Sequence, residues 1–382
     1  MTGDRTDVLA VSAYPPNKGR LSEYGHMLAE GLASKGLRVK VLSDMPPDRA
    51  PKAARLEISK AWTPNNPLSF LGALRQITSS RPRVVLMNLT FALFGRGKVT
   101  NFFGFLLVFL VTKIEKLFHF KSMVILHNLP EVVDTNIFGL KPSLLNRLGL
   151  LLAEKFIVGC DTVVVLLPMY KKMIEARFGK ETHYVPHGAW ENMGDPRAAG
   201  HDRDSILFLG YMSPSKDMNM LARAYATVKQ RHPDLKLKLV TSPHPNFPKA
   251  LDQLKVFDNM DGVEYLGYLS EEELPKVFEE CYAVALPYAT ATGTSGVLHL
   301  VSSAGIPAVG TDLPEMRQNV AEGAGLLLVR DAEGMAQALD RLKEDGQFWT
   351  EMSEKNMGFS SSRSWSAVSS VFYGLIKCLE VQ

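Results

Sequence analysis

The hydrophobic residues of this chain follow two spacings that alternate along the sequence. Short continuous apolar runs predict buried strands, and apolar residues three or four positions apart predict helices packed on one face. In the first half the predicted strands are 8–13, 37–42, 83–89, 122–127, 162–167 and 184–186, and the predicted helices are 21–35, about 68–78, 99–120 and 143–157. Apolar strands separated by helices predict a parallel sheet that is covered on both faces.

This pattern stops and then restarts. Residues 191–204 are polar and aperiodic, as expected of a linker. Strands are predicted again at 206–210, 235–240, 263–267, 282–287, 306–310 and 326–329, with helices between them, and the last helix is predicted at 364–379. The sequence therefore predicts two doubly wound, Rossmann-like α/β domains at 1–190 and 204–363, followed by a C-terminal helical segment at 364–382. We expect their ligands at a central cleft, beyond the carboxyl ends of the strands.

The bulk composition excludes several classes of protein. The 382 residues carry a formal net charge of +3 without a basic, aromatic-rich stripe, so no nucleic-acid partner is expected. Cys160, Cys281 and Cys378 lack metal-ligand spacing and fit free thiols in a reducing cytoplasm. The first residues lack the apolar core of a signal peptide, and the longest apolar run, 102–112, is shorter than the ~20 residues that span a bilayer. We therefore expect a cytoplasmic protein.

The segment 206–217 combines the features of an anion site. A strand-like run stops at Gly210, a short polar loop carries Lys216, and an amphipathic helix follows at once. The first N–H groups of a helix are unpaired and its amino end is positive, so this end attracts phosphate, and a lysine adds a full charge. The alternative is an ordinary strand–loop–helix turn with a solvated lysine.

Other loops after predicted strands carry similar chemistry. Gly19 precedes the first helix and permits close approach of a ligand to the backbone, although a tight turn explains it equally well. Thr294, Ser295 and Gly296 stand before a helix and form a second candidate phosphate cradle. Gly267 and Tyr268 end a strand, where the tyrosine either covers a flat base or serves packing.

A histidine marks the end of another predicted strand. His127 at this position is able to donate or accept a hydrogen bond near neutral pH, although a lone histidine is more often structural. Glu131 and Asp134 follow it and are candidate general bases. By contrast, no G-x-G-x-x-G motif follows a strand, and Gly95–Lys98 lacks the first glycine and the Ser/Thr of a P-loop.

In order and content, these loops resemble the family-4-type glycosyltransferases of GT-B fold, over nearly the whole chain. The start of the chain, with its proline-glycine loop, is similar to theirs. So are Val185–Gly188, Phe208–Lys216 and Ala304–Pro307. The resemblance implies a hexosyltransferase that moves a sugar from a nucleoside-diphosphate sugar to an acceptor, retaining its configuration. It also implies that the last helix, from Trp365, crosses back to the first domain.

The resemblance assigns roles to the candidate residues. His127 would contact the transferred sugar as the catalytic-site histidine. The donor diphosphate would lie on Gly19, Lys216, Thr294, Ser295 and Gly296, and the donor nucleoside on Gly210, Gly267, Tyr268 and Glu315. Charge on the leaving diphosphate would be met by Lys216 and helix amino ends, so no metal and no cofactor are expected. If configuration is inverted instead, His127, Glu131 or Asp134 would act as the base.

Three positions depart from the family pattern. Tyr211 stands where the family has an arginine, and Thr292 and Leu300 stand where it has two glutamates eight positions apart. Leu300 cannot hydrogen-bond a ribose. A non-catalytic homologue that binds a nucleotide sugar or scaffolds a complex is therefore the alternative from a different class, and an epimerase or phosphorylase is the alternative within the same fold.

Basic residues bracket an aromatic-rich segment. Arg96, Lys98, Lys113, Lys116 and Lys121 surround residues 102–120. Apolar residues beside a basic rim suit a helix at an anionic lipid surface, and a helix buried between two strands explains the same pattern equally well. In the first case residues 96–121 make peripheral membrane contact on the cytoplasmic face, and the acceptor is lipid-linked. A glycan or polysaccharide precursor is the alternative acceptor.

Overall fold

A computed structural model describes residues 5–17, 19–48, 50–90, 93–95, 98–129, 132, 143–191, 193–194, 202–244, 247–290 and 293–381, without the side chain of Lys98. The chain divides into two compact units. The first unit comprises Met1–Pro186 together with Trp365–Gln382, and the second comprises His187–Ser364. The sequence placed the first boundary at 190–204, so the predicted linker lies inside the second unit.

Each unit contains one parallel sheet. In the first unit the strand order is β3-β2-β1-β4-β5-β6-β7, and in the second it is β10-β9-β8-β11-β12-β13. The strands of the first unit are β1 (Val8–Val11), β2 (Val39–Ser43), β3 (Leu56–Lys60), β4 (Val84–Leu89), β5 (Lys121–Leu126), β6 (Thr162–Val165) and β7 (Thr182–Tyr184). Those of the second are β8 (Ser205–Met212), β9 (Lys236–Pro243), β10 (Val263–Tyr265), β11 (Cys281–Leu286), β12 (Ala308–Thr311) and β13 (Leu326–Val329).

Helices separate most of the strands. They are α1 (Arg20–Ser34), α2 (Phe70–Ser80), α3 (Lys98–Phe118), α4 (Leu144–Val158), α5 (Pro168–Phe178), α6 (Met218–Arg231), α7 (Leu274–Glu280), α8 (Gly296–Ser303), α9 (Pro314–Ala321), α10 (Ala332–Glu344), α11 (Gly346–Ser361) and α12 (Trp365–Val381). Short 3₁₀ segments occupy Pro67–Ser69 and Pro248–Phe257. No described helix is both long enough and apolar enough to cross a membrane.

Strands at or near the centre of each sheet are buried along all or most of their length. Every residue of β1, β4 and β11 is buried, because helices cover both faces of a parallel sheet. The predicted fold class, two doubly wound α/β domains, is therefore confirmed. In both sheets the strand order reverses once, between β1 and β4 and between β8 and β11. Doubly wound folds bind ligands at this reversal, beyond the carboxyl ends of the strands.

Two elements of the first unit were not predicted. Strand β3 pairs on one side only, with β2, and most of its residues are partly or fully exposed, so it lacks an apolar run. Helix α5 begins at Pro168 and buries only Tyr170 and Ile174 among mainly polar residues, so its periodicity is weak. A hydrophobic pattern arises where a segment buries apolar side chains, and these two segments bury few of them.

Helix α12 belongs to the first unit and packs against α1. The rings of Trp365 and Tyr24 meet edge to face, with centroids 4.9 Å apart. A Cβ atom added to Gly31 of α1 would lie 2.0 Å from the Ser369 hydroxyl oxygen, so only glycine permits this close approach of the two helices. Trp365 thus lies where the sequence predicted that the last helix returns to the first domain.

Candidate functional site

In the second unit, the candidate residues follow the two strands at which the sheet order reverses. Gly210 lies near the end of β8 with φ +130°, a backbone conformation that favours glycine. A Cβ atom at Gly210 would stand 3.4 Å from the Val297 side chain of α8. The Thr241 hydroxyl donates a hydrogen bond of 2.6 Å to the Gly210 carbonyl. The end of β8 is therefore held next to α8.

The loops after β8 and β11 are joined by backbone hydrogen bonds. The amide of Asp217 donates to the carbonyl of Pro287 at 2.8 Å, and the amide of Ala289 donates to the carbonyl of Ser215 at 2.9 Å. The Asp217 side chain also caps α6, because Oδ1 accepts a 3.0 Å hydrogen bond from the amide of Met220. Lys216 is thus fixed between a helix cap and a neighbouring loop.

One tyrosine connects Lys216 to the second candidate cradle. The Lys216 ammonium lies 3.5 Å from the centroid of the Tyr288 ring, a cation–π contact. The hydroxyl of Tyr288 lies 2.9 Å from the hydroxyl oxygen of Ser295. The structure therefore brings together two segments, Lys216 and 294–296, that the resemblance assigned to one diphosphate.

Helix α8 begins inside this group. Ser295 has a left-handed backbone, with φ +63°, and its Oγ accepts a hydrogen bond of 3.3 Å from the amide of Leu298. The helix starts at Gly296, and its amino end points positive charge toward the loop that contains Ser295. An ammonium group and a helix amino end joined through Tyr288 are the elements of a phosphate site.

The side chain of Thr294 differs from the sequence-based expectation. Thr294 is buried, and its hydroxyl oxygen lies 2.9 Å from His299 Nε2 and 3.1 Å from Asn319 Oδ1. We expected this hydroxyl to be offered to a phosphate, and instead it is held inside the unit. Any contact between Thr294 and a diphosphate would therefore involve its backbone.

Aromatic rings gather at the ends of β8, β9 and β10. The ring of Tyr211 lies 6.3 Å from that of Tyr268 and 6.2 Å from that of His244, measured between centroids. Tyr268 follows Gly267, which has φ +70°. The side chain of Tyr268 is exposed, with 42% of the residue's surface accessible. The position of the family's arginine is thus part of an aromatic cluster next to Tyr268. Such a cluster suits a flat, stacking ligand.

Glu315 is the most deeply buried of the predicted nucleoside residues. It lies in the first turn of α9, where a carboxylate is stabilised by the helix amino end, and only 2% of its surface is exposed. Its contact with a nucleoside stays a prediction.

In the first unit, His127 follows β5 and is part of a directed chain of hydrogen bonds. Its Nε2 lies 2.7 Å from Asn88 Oδ1. Asn88 Nδ2 donates to the Ser12 hydroxyl at 2.9 Å, and that hydroxyl donates to the Ala13 carbonyl at 2.7 Å. Because the Asn88 oxygen is only an acceptor, these directions place the proton of a neutral His127 on Nε2 and leave Nδ1 unprotonated.

Helix α1 approaches this chain closely. The Tyr24 ring meets the His127 ring edge to face at 4.5 Å between centroids. A Cβ atom at Gly25 would lie 2.3 Å from the Ser12 hydroxyl oxygen. Gly19 is the N-cap residue of α1, and a Cβ atom built there would meet no atom within 4 Å. The predicted bases Glu131 and Asp134 lie outside the described residues.

Four residues at these sites were missed by sequence reasoning. Asn88 is the polar residue in an otherwise apolar strand, and His299 is a histidine among apolar residues of a helix. A polar residue at a position predicted to be buried indicates a specific hydrogen bond, so both were recognisable from the sequence. Tyr288 and Asn319 were not recognisable in this way, because aromatic and amide residues are common in loops and helices. Their roles depend on neighbours that are distant in sequence.

One group of potential metal ligands occurs among the described residues. It comprises His232, Asp340 and Glu344, with His232 Nε2 3.4 Å from Asp340 and 3.5 Å from Glu344. Asp340 is already paired with Arg231. His232 precedes β9, whereas the candidate site residues follow the carboxyl ends of the strands. This group is therefore not part of the candidate site.

Known proteins are similar to part of this sequence and to its fold. Residues 203–345 match the family described as Glycosyl transferases group 1. A D-inositol 3-phosphate glycosyltransferase of Corynebacterium urealyticum is 28% identical over 198 residues, which cover 50% of this chain and 45% of that protein. A phosphatidyl-myo-inositol mannosyltransferase of Mycolicibacterium smegmatis is 30% identical over 159 residues, or 40% of each chain. The match thus spans less than half the length of these relatives.

Solved structures match nearly the whole chain. Sucrose-phosphate synthase from Thermosynechococcus elongatus has a TM-score of 0.78 at 16% identity and covers 98% of this chain and 99% of its own. HepE of Anabaena, solved in complex with UDP and glucose, has a TM-score of 0.69 at 15% identity, covering 98% and 100%. The class of the fold is therefore GT-B. Within this fold, residues 203–345 match a group 1 glycosyltransferase domain, which agrees with the resemblance of the loops to the family-4-type glycosyltransferases.

Proposed function

We propose that this protein is a glycosyltransferase that moves a hexose from a nucleoside-diphosphate sugar to an acceptor. The observation that carries the proposal is the Lys216 ammonium joined through Tyr288 to the amino end of α8. This group lies in the family-matched domain, after the two strands at which the sheet order reverses. A diphosphate is the ligand that such a combination of charges stabilises best.

The same group assists the reaction by stabilising the leaving nucleoside diphosphate. Negative charge grows on the leaving oxygen as the glycosidic bond breaks, and Lys216 and the α8 amino end are fixed in advance to meet it. One such donor typically contributes about 3–4 kcal/mol to the lowering of a barrier. The proposal assigns no metal to this step.

The nucleoside part of the donor is proposed to lie on the aromatic cluster of Tyr211, His244 and Tyr268. Stacking of a base on aromatic rings supports this placement, and the complex of HepE with UDP and glucose supports a nucleotide donor. We propose that configuration is retained, so that the acceptor attacks from the leaving-group face and a diphosphate oxygen takes its proton. In an inverting reaction, His127 is the candidate base among the described residues, and Glu131 and Asp134 are the other two candidates.

A screen of donors tests the proposal. Purified protein is incubated with UDP-, GDP- and ADP-sugars, and release of the nucleoside diphosphate is measured together with the thermal shift that each causes. We expect one base to give both stabilisation and release. Stabilisation without release, with or without added glycan and lipid acceptors, would contradict the proposed enzyme activity. It would favour the alternative, a non-catalytic homologue that binds a nucleotide sugar or scaffolds a complex.

We further propose that the protein works at the cytoplasmic face of a membrane on a lipid-linked acceptor. Helix α3 is only partly buried: Phe105, Val108 and Val111 face the core, whereas Phe102 and Phe103 are exposed. The predicted contact segment, 96–121, therefore has an apolar face of its own toward solvent.

Helix α4 extends this apolar surface. It packs on α3, where the Phe109 and Phe156 rings lie 4.9 Å apart, and it exposes 85% of Leu144, 78% of Leu145 and 53% of Leu148. A large exposed apolar patch marks a contact surface.

The charges around the patch fit an anionic surface. On the described part of α3 and α4, the exposed charged side chains are all basic: Lys113, Lys116, Arg147 and Lys155. The acids of these helices are not exposed, since Glu115 accepts a hydrogen bond from Ser122 and Glu154 pairs with Arg177. Apolar residues inside a basic rim favour anionic lipid.

Co-sedimentation with vesicles tests this contact. We expect the protein to sediment with phosphatidylglycerol-containing vesicles more than with pure phosphatidylcholine. Replacement of Leu144, Leu145 and Leu148 by serine should weaken sedimentation at least about tenfold, because each buried leucine contributes about 1.5–3 kcal/mol. Leu251→Ser, an exposed leucine of the second unit, is the control. Equal sedimentation with both vesicles, or an unaffected triple variant, would contradict membrane contact.

A further inference from the structure

The loop of the candidate diphosphate site rests on a buried histidine to which the proposed reaction assigns no role. His299 of α8 has no exposed surface. Its ring is nearly parallel to that of His187, at 4.8 Å between centroids and 13°, and to that of Phe359, at 5.2 Å and 20°. The Arg363 guanidinium lies 3.7 Å from the centroid of the Phe359 ring. A ring packed in this stack has little freedom to rotate, so the position of Nε2 is fixed.

The hydrogen bonds around Thr294 have one consistent set of directions. Asn319 Nδ2 donates to the Thr294 carbonyl at 3.1 Å, and this orients Oδ1 of the same amide toward the Thr294 hydroxyl. Because Oδ1 is only an acceptor, the Thr294 hydroxyl must donate to it. The remaining contact, 2.9 Å from His299 Nε2 to the same hydroxyl oxygen, then requires that Nε2 donates.

The environment of His299 agrees with this assignment. Burial, with the neighbouring His187 and Arg363, lowers the pKa of His299 well below its ordinary value, so the ring is neutral at neutral pH. A neutral imidazole has one N–H, and the hydrogen-bond directions place it on Nε2. His299 Nδ1 is buried and has no hydrogen-bond partner among the described residues. The single donor of this ring is therefore used on Thr294.

We propose that His299 and Asn319 are positioning residues that hold the loop at 293–296 in its diphosphate-binding shape. Together they fix Thr294 by three hydrogen bonds, and Thr294 precedes Ser295, the left-handed residue that caps α8. Through the Tyr288 hydroxyl, Ser295 is joined to the ring that contacts Lys216. The inference rests on the proposed function, because it assigns a donor diphosphate to this loop.

This arrangement also explains how α8 is built without the family's second glutamate. Leu300 occupies that position and is fully buried. One position earlier, His299 is polar, and its side chain contacts the Thr294 hydroxyl in the interior. In this chain, the loop is thus shaped by an internal contact.

The test compares variants that keep or remove the donor to Thr294. His299→Leu removes it, Thr294→Val removes its target, and His299→Gln supplies an amide N–H in its place. Val301→Ala, a fully buried position on the same helix outside the hydrogen bonds, controls for lost packing. The readouts are the affinity for UDP, GDP and ADP by calorimetry, and the melting temperature.

We expect His299→Leu and Thr294→Val each to weaken diphosphate binding about tenfold, and not additively when combined, since both remove the same hydrogen bond. His299→Gln should regain most of the affinity, and Val301→Ala should lower the melting temperature but keep the affinity. Unchanged binding by both Thr294→Val and His299→Leu, while Lys216→Ala weakens it, would overturn the positioning role alone. Absence of diphosphate binding in the unmodified protein would overturn the proposed function as well.

Discussion

The two units have the same reversal of strand order but different side chains beside it. In the second unit, the loops after β8 and β11 place an ammonium group and a helix amino end together. In the first unit, the corresponding region has a hydrogen-bonded chain from His127 through Asn88 to Ser12. The fold thus sets where a ligand binds, and the loop side chains set its chemistry. We interpret the first region as a site for hydroxyl groups and the second as a site for phosphate.

Close approach of a helix to a strand end occurs in both units, but only one of the two glycines involved is severely crowded. A Cβ atom at Gly25 would lie 2.3 Å from the Ser12 hydroxyl oxygen and 2.7 Å from the Ala13 carbonyl, whereas one at Gly210 would meet Val297 at 3.4 Å. Helix α1 is therefore held against the hydrogen-bond chain with no spare room. Tight packing of a helix against the candidate site is therefore more pronounced in the first unit, at Gly25, than in the second unit, at Gly210.

The largest expected difference in stability follows from this crowding. Gly25→Ala should lower the free energy of unfolding by about 1–3 kcal/mol, because α1 must move away from Ser12. Gly374→Ala in α12 is the matched control: the structure shows no atom within 4 Å of the added Cβ, and alanine favours a helix. Urea denaturation measures both variants. A Gly25→Ala protein as stable as the Gly374→Ala protein would remove the contrast between the units.

A smaller effect is the dependence of stability on pH. Because the pKa of His299 is held well below 6.5 in the folded state, the unfolded chain binds one more proton below pH 6.5, and stability falls as pH decreases. This group contributes up to about 1.4 kcal/mol per pH unit. Burial also lowers the pKa of His26 in the first unit, although Glu30 opposes that effect, so His26 adds a slope of the same sign.

The difference between the unmodified protein and His299→Gln isolates the contribution of His299. Unfolding is followed in urea between pH 5 and pH 7.5, and the variant should lose less stability than the unmodified protein as pH decreases. Parallel curves for the two proteins would show that His299 is not held neutral.

Much of the fold was predictable, because burial on two faces of a sheet leaves continuous apolar runs. The amphipathic helix predicted after Lys216 is α6, and its apolar residues at helical spacing are all buried: Met218, Leu221, Ala222, Tyr225 and Val228. The convergence of Lys216 with the loop at 294–296 follows from parallel strands, whose carboxyl ends meet at one edge. Orientation was harder: whether the Thr294 hydroxyl faces in or out depends on His299 and Asn319, and no local pattern encodes that choice.

The orientation of the side chains of α4 was equally hard to predict. Its sequence, rich in leucine, predicts a helix but does not tell which leucines face the core, since nearly every side of the helix is apolar. Only the packing of α3 and α4 shows that Leu144, Leu145 and Leu148 face solvent. Uniformly apolar helices lose the periodicity from which a buried face is read.

The central claim, a diphosphate site at Lys216, is tested most directly by comparing the binding of UDP with that of uridine. If the donor screen selects another base, the pair is GDP and guanosine or ADP and adenosine. Calorimetry is performed on the unmodified protein, on Lys216→Ala, and on Lys255→Ala, an exposed lysine of the same unit, as control. We expect Lys216→Ala to weaken diphosphate binding by about ten- to hundredfold and to leave nucleoside binding unchanged, because a charge-assisted contact to phosphate contributes about 1.5–3 kcal/mol. Equal losses for the diphosphate and the nucleoside, or no loss for either, would contradict a diphosphate site at Lys216.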